Sequence, residues 1–168
     1  WLKPAGRSWA TSWVVVELAT RLGVDLIRAA TIADLRQIES LLRSGCEEII
    51  EKHDTYDATE MILSAVSQAI VDGQRLHVAV EGDQIIGVCA WLPQPGLEGV
   101  VAGLGTYVHS AFRRRGISEE LREKAEEWWR LAGYKCVIGT ASSTNTAGLE
   151  SVMKRGFRVV GLEVRKEL

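Results

Sequence analysis

The spacing of apolar residues predicts a short strand and two helices in the first part of the chain. Residues 25–30, with the sequence DLIRAA, predict the strand. A helix is expected after it, because apolar residues recur at helical spacing: Leu35, Ile38, Leu41 and Leu42. Gly45 suits the end of that helix, and the mixed polar residues 46–56 predict a connection. A second amphipathic helix is expected between Asp57 and Gly73.

Three strands are predicted in the middle of the chain. Residues 77–80 and 85–92 are apolar runs on either side of the sequence EGDQ, which is typical of a tight hairpin turn. The third strand covers 100–108 and contains Gly103 and Gly105. Glycine inside a strand indicates a bulge or a close approach by another backbone.

Helices and strands alternate in the rest of the chain, which indicates an α/β domain. Residues 118–132 predict an amphipathic helix with the apolar stripe Ile117, Leu121, Ala125, Trp128 and Ala132. The stripe places Trp128 in the core and leaves Trp129 partly exposed. The remaining predicted elements are a strand, a short helix and a last strand, over 137–141, 147–155 and 159–164.

Length and composition match one ordinary globular domain. The 168 residues are 46% hydrophobic and 25% charged, which excludes a disordered tail or a collagen-like protein. The formal net charge is −2 and the pI about 6.0, so a general nucleic-acid-binding protein is not expected. No apolar run is long enough for a membrane span. Residues 1–23 are interpreted as an N-terminal extension before a domain over 24–168.

Cysteines and histidines form neither a disulfide pattern nor a metal pattern. The cysteines are far apart and odd in number: Cys46, Cys89 and Cys136. Cys89 and Cys136 lie in apolar runs, so we expect both to be buried in a protein of a reducing compartment, the cytoplasm. The histidines lack ligand spacing, so no metal is expected: His53, His77 and His109.

The segment 107–118 carries the clearest chemical signal. It joins the glycine-containing strand to a helix N-terminus, which exposes unpaired N–H groups and partial positive charge. Gly116 allows backbone to approach a ligand closely, and three arginines precede it: Arg113, Arg114 and Arg115. These features predict an anion site that suits a pyrophosphate.

The arginine run is also compatible with a solvated charge cluster or with a local nucleic-acid-binding patch. The acidic total and the lack of interleaved aromatic residues disfavour the patch. The glycine spacing fits neither G-x-x-x-x-G-K-[ST] nor G-x-G-x-x-G, so nucleotide hydrolysis and a Rossmann cofactor are not predicted.

The same segment resembles the acetyl-CoA signature of the GNAT superfamily of N-acetyltransferases, [RQ]-x-x-G-x-[GA] after a strand that ends in Val. Val108, Arg113 and Gly116 match it, and Ser118 stands where the family usually has Gly or Ala. A later block resembles a second family motif through Asn145, Lys154, Gly156 and Phe157. The resemblance implies a single-domain GNAT-like α/β fold, with a central mixed sheet flanked by about four helices.

The resemblance also implies transfer of an acetyl group from acetyl-CoA (coenzyme A) to a primary amine by direct attack, without a metal. Val108 is implied to pair with the pantetheine arm and to polarise the thioester carbonyl through its N–H, and Asn145 to contact pantetheine from the next strand. The implied cofactor-binding residues are Val108, Arg113, Arg114, Arg115, Gly116, Ile117, Ser118 and Asn145.

Two proton-transfer residues of the family are missing. Many members use a Tyr to protonate the leaving thiolate and some use a Glu as base, but Val152 and Thr140 occupy those positions here. Tyr107 is a candidate replacement acid, although it equally suits packing on the sheet. Glu98 is a candidate base, acting through water.

The acceptor side and the overall function leave alternatives open. Four polar residues in the first helix connection predict either an acceptor site or an exposed loop: His53, Asp54, Tyr56 and Asp57. The acceptor implied is a small-molecule or peptide amine, and the protein is expected to be a monomer or homodimer. Alternative functions are an acetyl-CoA-binding sensor, or degenerate family member, and a nucleic-acid-binding protein that uses residues 113–115.

Overall fold

The computed structural model describes residues 26–53 and 57–161. In these ranges one sheet holds five strands in chain order: β1 (Leu26–Ala29), β2 (His77–Glu81), β3 (Gln84–Pro93), β4 (Val100–Val108) and β5 (Cys136–Gly139). The α-helices in the same ranges are α1 (Leu35–His53), α2 (Thr59–Val71), α3 (Ile117–Leu131) and α4 (Thr146–Lys154). Mixed sheet and four helices confirm the predicted α/β class.

The pairing of strands changes from antiparallel to parallel at β4. The pairs β1–β2, β2–β3 and β3–β4 are antiparallel, and β4–β5 is parallel. On β3, Ala90 faces Gly105 and Trp91 faces Gly103, so Leu104 is an extra residue on β4. This confirms the predicted bulge, and a bulge bends and twists its strand.

The two faces of the sheet carry two separate groups of buried apolar residues. Helices α1 and α2 cover one face with Ile38, Leu42 and Val66, against Val78 and Val88 on the strands. Helix α3 covers the opposite face with its own stripe of buried residues: Ile117, Leu121, Ala125 and Trp129. Helix α4 lies beside α3, where Arg155 Nη2 donates to Glu126 Oε1 at 2.8 Å.

The prediction that the first helix ends at Gly45 is wrong, because α1 continues to His53. Cys46 in the extension is buried, and Ile49 packs against the same core. Glycine is used at 45 because the Tyr107 ring lies there: a Cβ built on Gly45 would stand 2.3 Å from Tyr107 Cδ1. The absence of a side chain at Gly45 therefore makes room for the Tyr107 ring and does not end the helix.

The burial predictions for three residues are also wrong. Trp129 is 6% exposed and packs edge-on against Tyr134, with ring centroids 4.8 Å apart. Trp128 is only partly buried and lies under the Arg75 guanidinium, 4.2 Å from its ring centroid. Cys136 is exposed, because it begins β5, which has a single strand neighbour in the described sheet. The expectation that Cys89 is buried is confirmed.

Several predicted features lie outside the described residues. These are the N-terminal extension, Asp25, Asp54, Tyr56 and the end of the last predicted strand beyond residue 161. Residues 159–161, which are described, form no strand. Among the described helices, none has the length and apolar character needed to cross a bilayer.

Gly45→Ala should lower the free energy of unfolding by about 2 kcal/mol, because the new methyl group displaces the Tyr107 ring. Helix propensity alone would raise stability by about 1 kcal/mol, so the sign of the change is informative. Urea unfolding measures it, with Ser44→Ala on the exposed side of α1 as control. The cost should shrink in a Tyr107→Leu background; an equal cost in both backgrounds would contradict the contact.

Candidate functional site

A cleft of about 910 Å³ opens beside the end of β4. Its walls are the last turns of α1, the end of β4, the turn before α3, and α4. The residues lining it from β4 and the turn include Thr106, Tyr107, Val108, Arg113, Arg114, Gly116, Ile117 and Ser118. The structure therefore brings most of the predicted cofactor residues to one cleft.

One edge of β4 is left open in this cleft. Pairing with β5 runs from Val100 opposite Cys136 to Gly103 opposite Gly139, and it stops there at the bulge. In the described structure no strand pairs with the rest of β4 on that side. An open strand edge offers N–H and C=O groups to an extended ligand.

Backbone alternation fixes which groups face the open edge. The His109 N–H donates to the Ile86 carbonyl at 2.8 Å, so His109 and Tyr107 direct their backbone groups toward β3. Thr106 and Val108 then direct theirs to the opposite, open side. The Val108 carbonyl already accepts from Arg113 Nε at 2.9 Å. The Val108 N–H is thus the polar group of that residue that faces the cleft.

The turn before α3 has the geometry of an anion cradle. Arg114 and Gly116 have positive φ values of 64° and 78°, an arrangement that turns successive N–H groups toward one side. Gly116 is the N-cap of α3 and forms no side-chain cap hydrogen bond. The first N–H groups of α3 are therefore not satisfied by a side chain.

Each side-chain nitrogen of Arg113 donates a hydrogen bond to another residue of the protein. Its Nη1 and Nη2 donate to Glu48 Oε1 and Oε2 at 2.6 and 2.5 Å, and its Nε donates to Val108. Arg113 and Lys52 lower the pKa of Glu48 to about 2, and Glu48 raises the pKa of Arg113. This arginine ties α1 to the end of β4, so its guanidinium does not point free into the cleft.

The other two arginines of the run differ from each other. Arg115 pairs with Glu81 at 3.2 Å and lies over the Phe112 ring, 5.0 Å from its centroid. Arg114 is exposed and has no ion pair among the described residues. Of the three arginines in the turn, Arg114 is therefore the one without a carboxylate partner among the described residues.

Tyr107 lies beneath the bulge and is only 8% exposed. Its hydroxyl donates to the Leu104 carbonyl at 3.5 Å and lies 3.6 Å from Cys46 Sγ. Burial, followed by the contact with Cys46, raises the pKa of Tyr107. The side chain fills the gap that Gly45 leaves, as the packing interpretation expects.

Asn145 lies at the N-cap of α4 rather than on the strand that the sequence analysis expected. Its side chain accepts from the Gly148 N–H at 2.9 Å, and the residue lines the cleft. Thr140 directly follows β5, and Val152 lies on α4. Neither side chain is able to take the proton-transfer role of the family residue that it stands for.

Glu98 is not brought to the cleft. It is exposed in the turn between β3 and β4, before the first residue of β4. The strand has 9 residues, so its two ends are roughly 27 Å apart. The cleft lies at the other end.

Two cleft residues were not found by the sequence analysis. Glu48 lies in the segment interpreted as a connection, although its spacing to Lys52 suits a helical ion pair, observed at 2.6 Å. Arg122 on the polar side of α3 donates from Nε to Thr106 Oγ1 and from Nη1 to Ser151 Oγ, both at 3.3 Å. Burial lowers the pKa of Arg122. No sequence signal distinguished it from a surface arginine.

The predicted acceptor residues are only partly placed together. His53 lines the cleft and contacts Thr144, in the loop between β5 and α4. Asp57 accepts from the Thr59 N–H at 2.9 Å at the start of α2 and is exposed. Within the described ranges, His, Cys, Asp and Glu residues form no group that could hold a metal ion.

Comparison with known protein families gives one match that covers most of the chain. The model of the Acetyltransferase (GNAT) family matches residues 33–157. The chain has no significant match among curated protein sequences.

Solved structures share the fold at low sequence identity. The aminoglycoside acetyltransferase AAC(6')-Iy, solved with the bisubstrate analog CoA-S-monomethyl-acetylneamine, is 19% identical, with a TM-score of 0.61 over 85% of this chain and 97% of that one. Ribosomal-protein-alanine N-acetyltransferase from Brucella melitensis is 24% identical, with a TM-score of 0.64 over 81% and 86%. An N-acetyltransferase from Staphylococcus aureus Mu50 is 17% identical, with a TM-score of 0.65 over 81% and 84%. The chain belongs to the GNAT family of acetyltransferases.

Proposed function

We propose that this protein transfers an acetyl group from acetyl-CoA to a primary amine. The observation that carries the proposal is the continuous path from the open edge of β4 to the uncapped start of α3 in one cleft. An extended arm with amide groups suits the first feature, and a pyrophosphate suits the second. Coenzyme A contains both parts in one molecule.

In this proposal the pyrophosphate binds the N–H groups from Arg114 to Ser118, with Arg114 as the additional cation. The pantetheine arm then runs along β4 and pairs with Thr106 and Val108, whose backbone groups face that edge. Asn145 approaches the arm from the start of α4. Arg113 supports cofactor binding indirectly, because it holds Val108 and the turn in place. Its own donors are occupied by Val108 and Glu48.

The reaction needs no covalent enzyme intermediate. The neutral amine nitrogen attacks the thioester carbonyl carbon, the C–N bond forms, the nitrogen loses one proton, and the C–S bond breaks as the thiolate leaves. A strand N–H at the open edge, from Val108 or Thr106, stabilises the negative charge on the carbonyl oxygen. A thiol has a pKa of about 8.5, so the thiolate departs near neutral pH without obligatory proton transfer from a side chain.

The acceptor is proposed to be a small-molecule or peptide amine. Two structural neighbours carry names that refer to such acceptors, an aminoglycoside and a ribosomal-protein alanine. The cytoplasmic location and the monomeric or homodimeric state stay predictions.

Particular residues favour or disfavour the two alternative functions. Thr140 and Val152 at the proton-transfer positions favour a sensor that binds acetyl-CoA without turnover. Nucleic-acid binding through residues 113–115 is disfavoured, because Arg113 and Arg115 are paired with carboxylates. Only Arg114 of the three is left for a phosphate chain.

Acetyl-CoA turnover with an amine panel tests the proposal directly. The panel contains neamine, spermidine and a peptide that starts with alanine, and thiol release is measured. We expect at least one amine to give turnover well above the rate without an acceptor. Acetyl-CoA binding without turnover on any of them would favour the sensor.

Gly116→Val should weaken acetyl-CoA binding by about tenfold or more, because a branched side chain crowds the turn and disfavours its positive φ. Gly133→Val is the matched control, since Gly133 has φ of 89° at the other end of α3. Calorimetric titration and the acetyl-CoA-dependent rise in Tm measure the effect. Equal affinity losses in both variants would show that strain, and not the anion cradle, is responsible.

Tyr107→Phe distinguishes a proton donor from a packing residue. A donor role predicts a loss in kcat of about 10²-fold with unchanged cofactor affinity. The raised pKa and the buried hydroxyl favour packing, so we expect kcat to change by less than about threefold. A 10²-fold loss with native stability would assign the proton to Tyr107.

A further inference from the structure

We propose that His53 is the general base of the acetyl transfer and that Thr144 is the positioning residue for its imidazole. The inference rests on the proposed function, because it assigns a role in the same reaction. His53 is the last residue of α1, is half-buried and lines the cleft. Thr144 approaches it from the loop between β5 and α4, so the two residues join separate parts of the fold.

Thr144 Oγ1 lies beside two polar groups of His53 and can orient its imidazole. It is 3.1 Å from the His53 carbonyl oxygen, which can only accept, and 3.4 Å from His53 Nδ1. Ser142 Oγ lies 2.8 Å from the same Thr144 oxygen, and either hydroxyl can donate in that pair. The proposal assigns the Thr144 proton to the carbonyl and the Nδ1–H to Thr144 Oγ1, which leaves the lone pair of a base on His53 Nε2.

The two ring nitrogens of His53 differ in their contacts. Nδ1 contacts Thr144 Oγ1, and Nε2 forms no hydrogen bond with the residues that the structure describes. A ring nitrogen held by an orienting partner is the arrangement of a general base.

The reaction requires such a base. A primary amine resembles the lysine ammonium, with a pKa of about 10.4, so at neutral pH it carries a proton that blocks attack. In the proposed step, His53 Nε2 first takes the ammonium proton, and the neutral amine nitrogen then bonds to the acetyl carbon. The C–S bond breaks, the nitrogen loses its second proton to solvent, and the thiolate takes a proton from solvent.

The charged groups on the two flanking helices are poorer bases. On α1, Glu48 is ion-paired with Arg113 and Lys52, and its pKa is lowered to about 2. On α4, Glu150 is an exposed carboxylate, and Lys154 is a cation. Among the described residues that line the cleft, His53 is the histidine, whose neutral ring offers a nitrogen lone pair.

The test compares wild type with His53→Gln in kcat/KM across about pH 5.5 to 9.5, with the best amine of the panel above. At neutral pH the variant should lose about 10²-fold, and the acid limb of its profile should differ from that of wild type. The loss should shrink at high pH, where free amine is abundant, and added imidazole should restore part of the rate of His53→Ala, which leaves room for it. Acetyl-CoA affinity should stay unchanged.

Two further variants separate positioning from catalysis. Thr144→Val should lower kcat/KM by about tenfold and shift the acid limb, because it removes the partner of Nδ1. Glu47→Gln changes an exposed residue of the same helix as His53 that does not line this cleft, and it should match wild type.

The outcomes distinguish this inference from the proposed function. Wild-type turnover with an unchanged rate and acid limb in His53→Gln would overturn the role of His53 alone. Acetyl-CoA binding without wild-type turnover on any amine would overturn the proposed enzyme, and the role of His53 with it.

Discussion

The end of pairing between β4 and β5 is the constraint on which the proposed ligand site depends. Gly103 opposite Gly139 is the last pair, and the extra residue Leu104 then bends β4. Backbone groups that would otherwise join a ladder are left facing a cleft. An unpaired strand edge is able to hydrogen-bond an extended ligand. The start of α3, which has no side-chain cap and suits an anion, lies next to that edge.

The site also depends on α1 from the opposite face of the sheet. Gly45 admits the Tyr107 ring beneath the bulge, and Glu48 holds Arg113 against the Val108 carbonyl. One helix thereby supports both the strand and the turn that form the proposed cofactor site. His53, two turns further along, places α1 beside Thr144 on the far wall. The helix that shapes the cofactor site thus also lines the proposed acceptor side.

Elements with strong local patterns could be predicted from the sequence, and contacts between distant segments could not. The limits of β4 and its bulge followed from an apolar run with two glycines. The sequence pattern predicts a helix end at Gly45, but the glycine is explained by its contact with Tyr107, 62 positions later in the chain. The role of Arg113 was likewise hidden, since its partner Glu48 is 65 residues away. Trp128 and Trp129 are neighbours at the margin of one apolar stripe, and packing against Tyr134 decides between them.

A crystal structure of the protein with acetyl-CoA tests the central claim most directly. The account predicts pantetheine hydrogen bonds to the open edge of β4 at Thr106 and Val108. It also predicts the pyrophosphate on the N–H groups from Arg114 to Ser118, with Arg113 still bound to Glu48. Acetyl-CoA bound away from that edge, or Arg113 released from Glu48 to contact the phosphates, would contradict it.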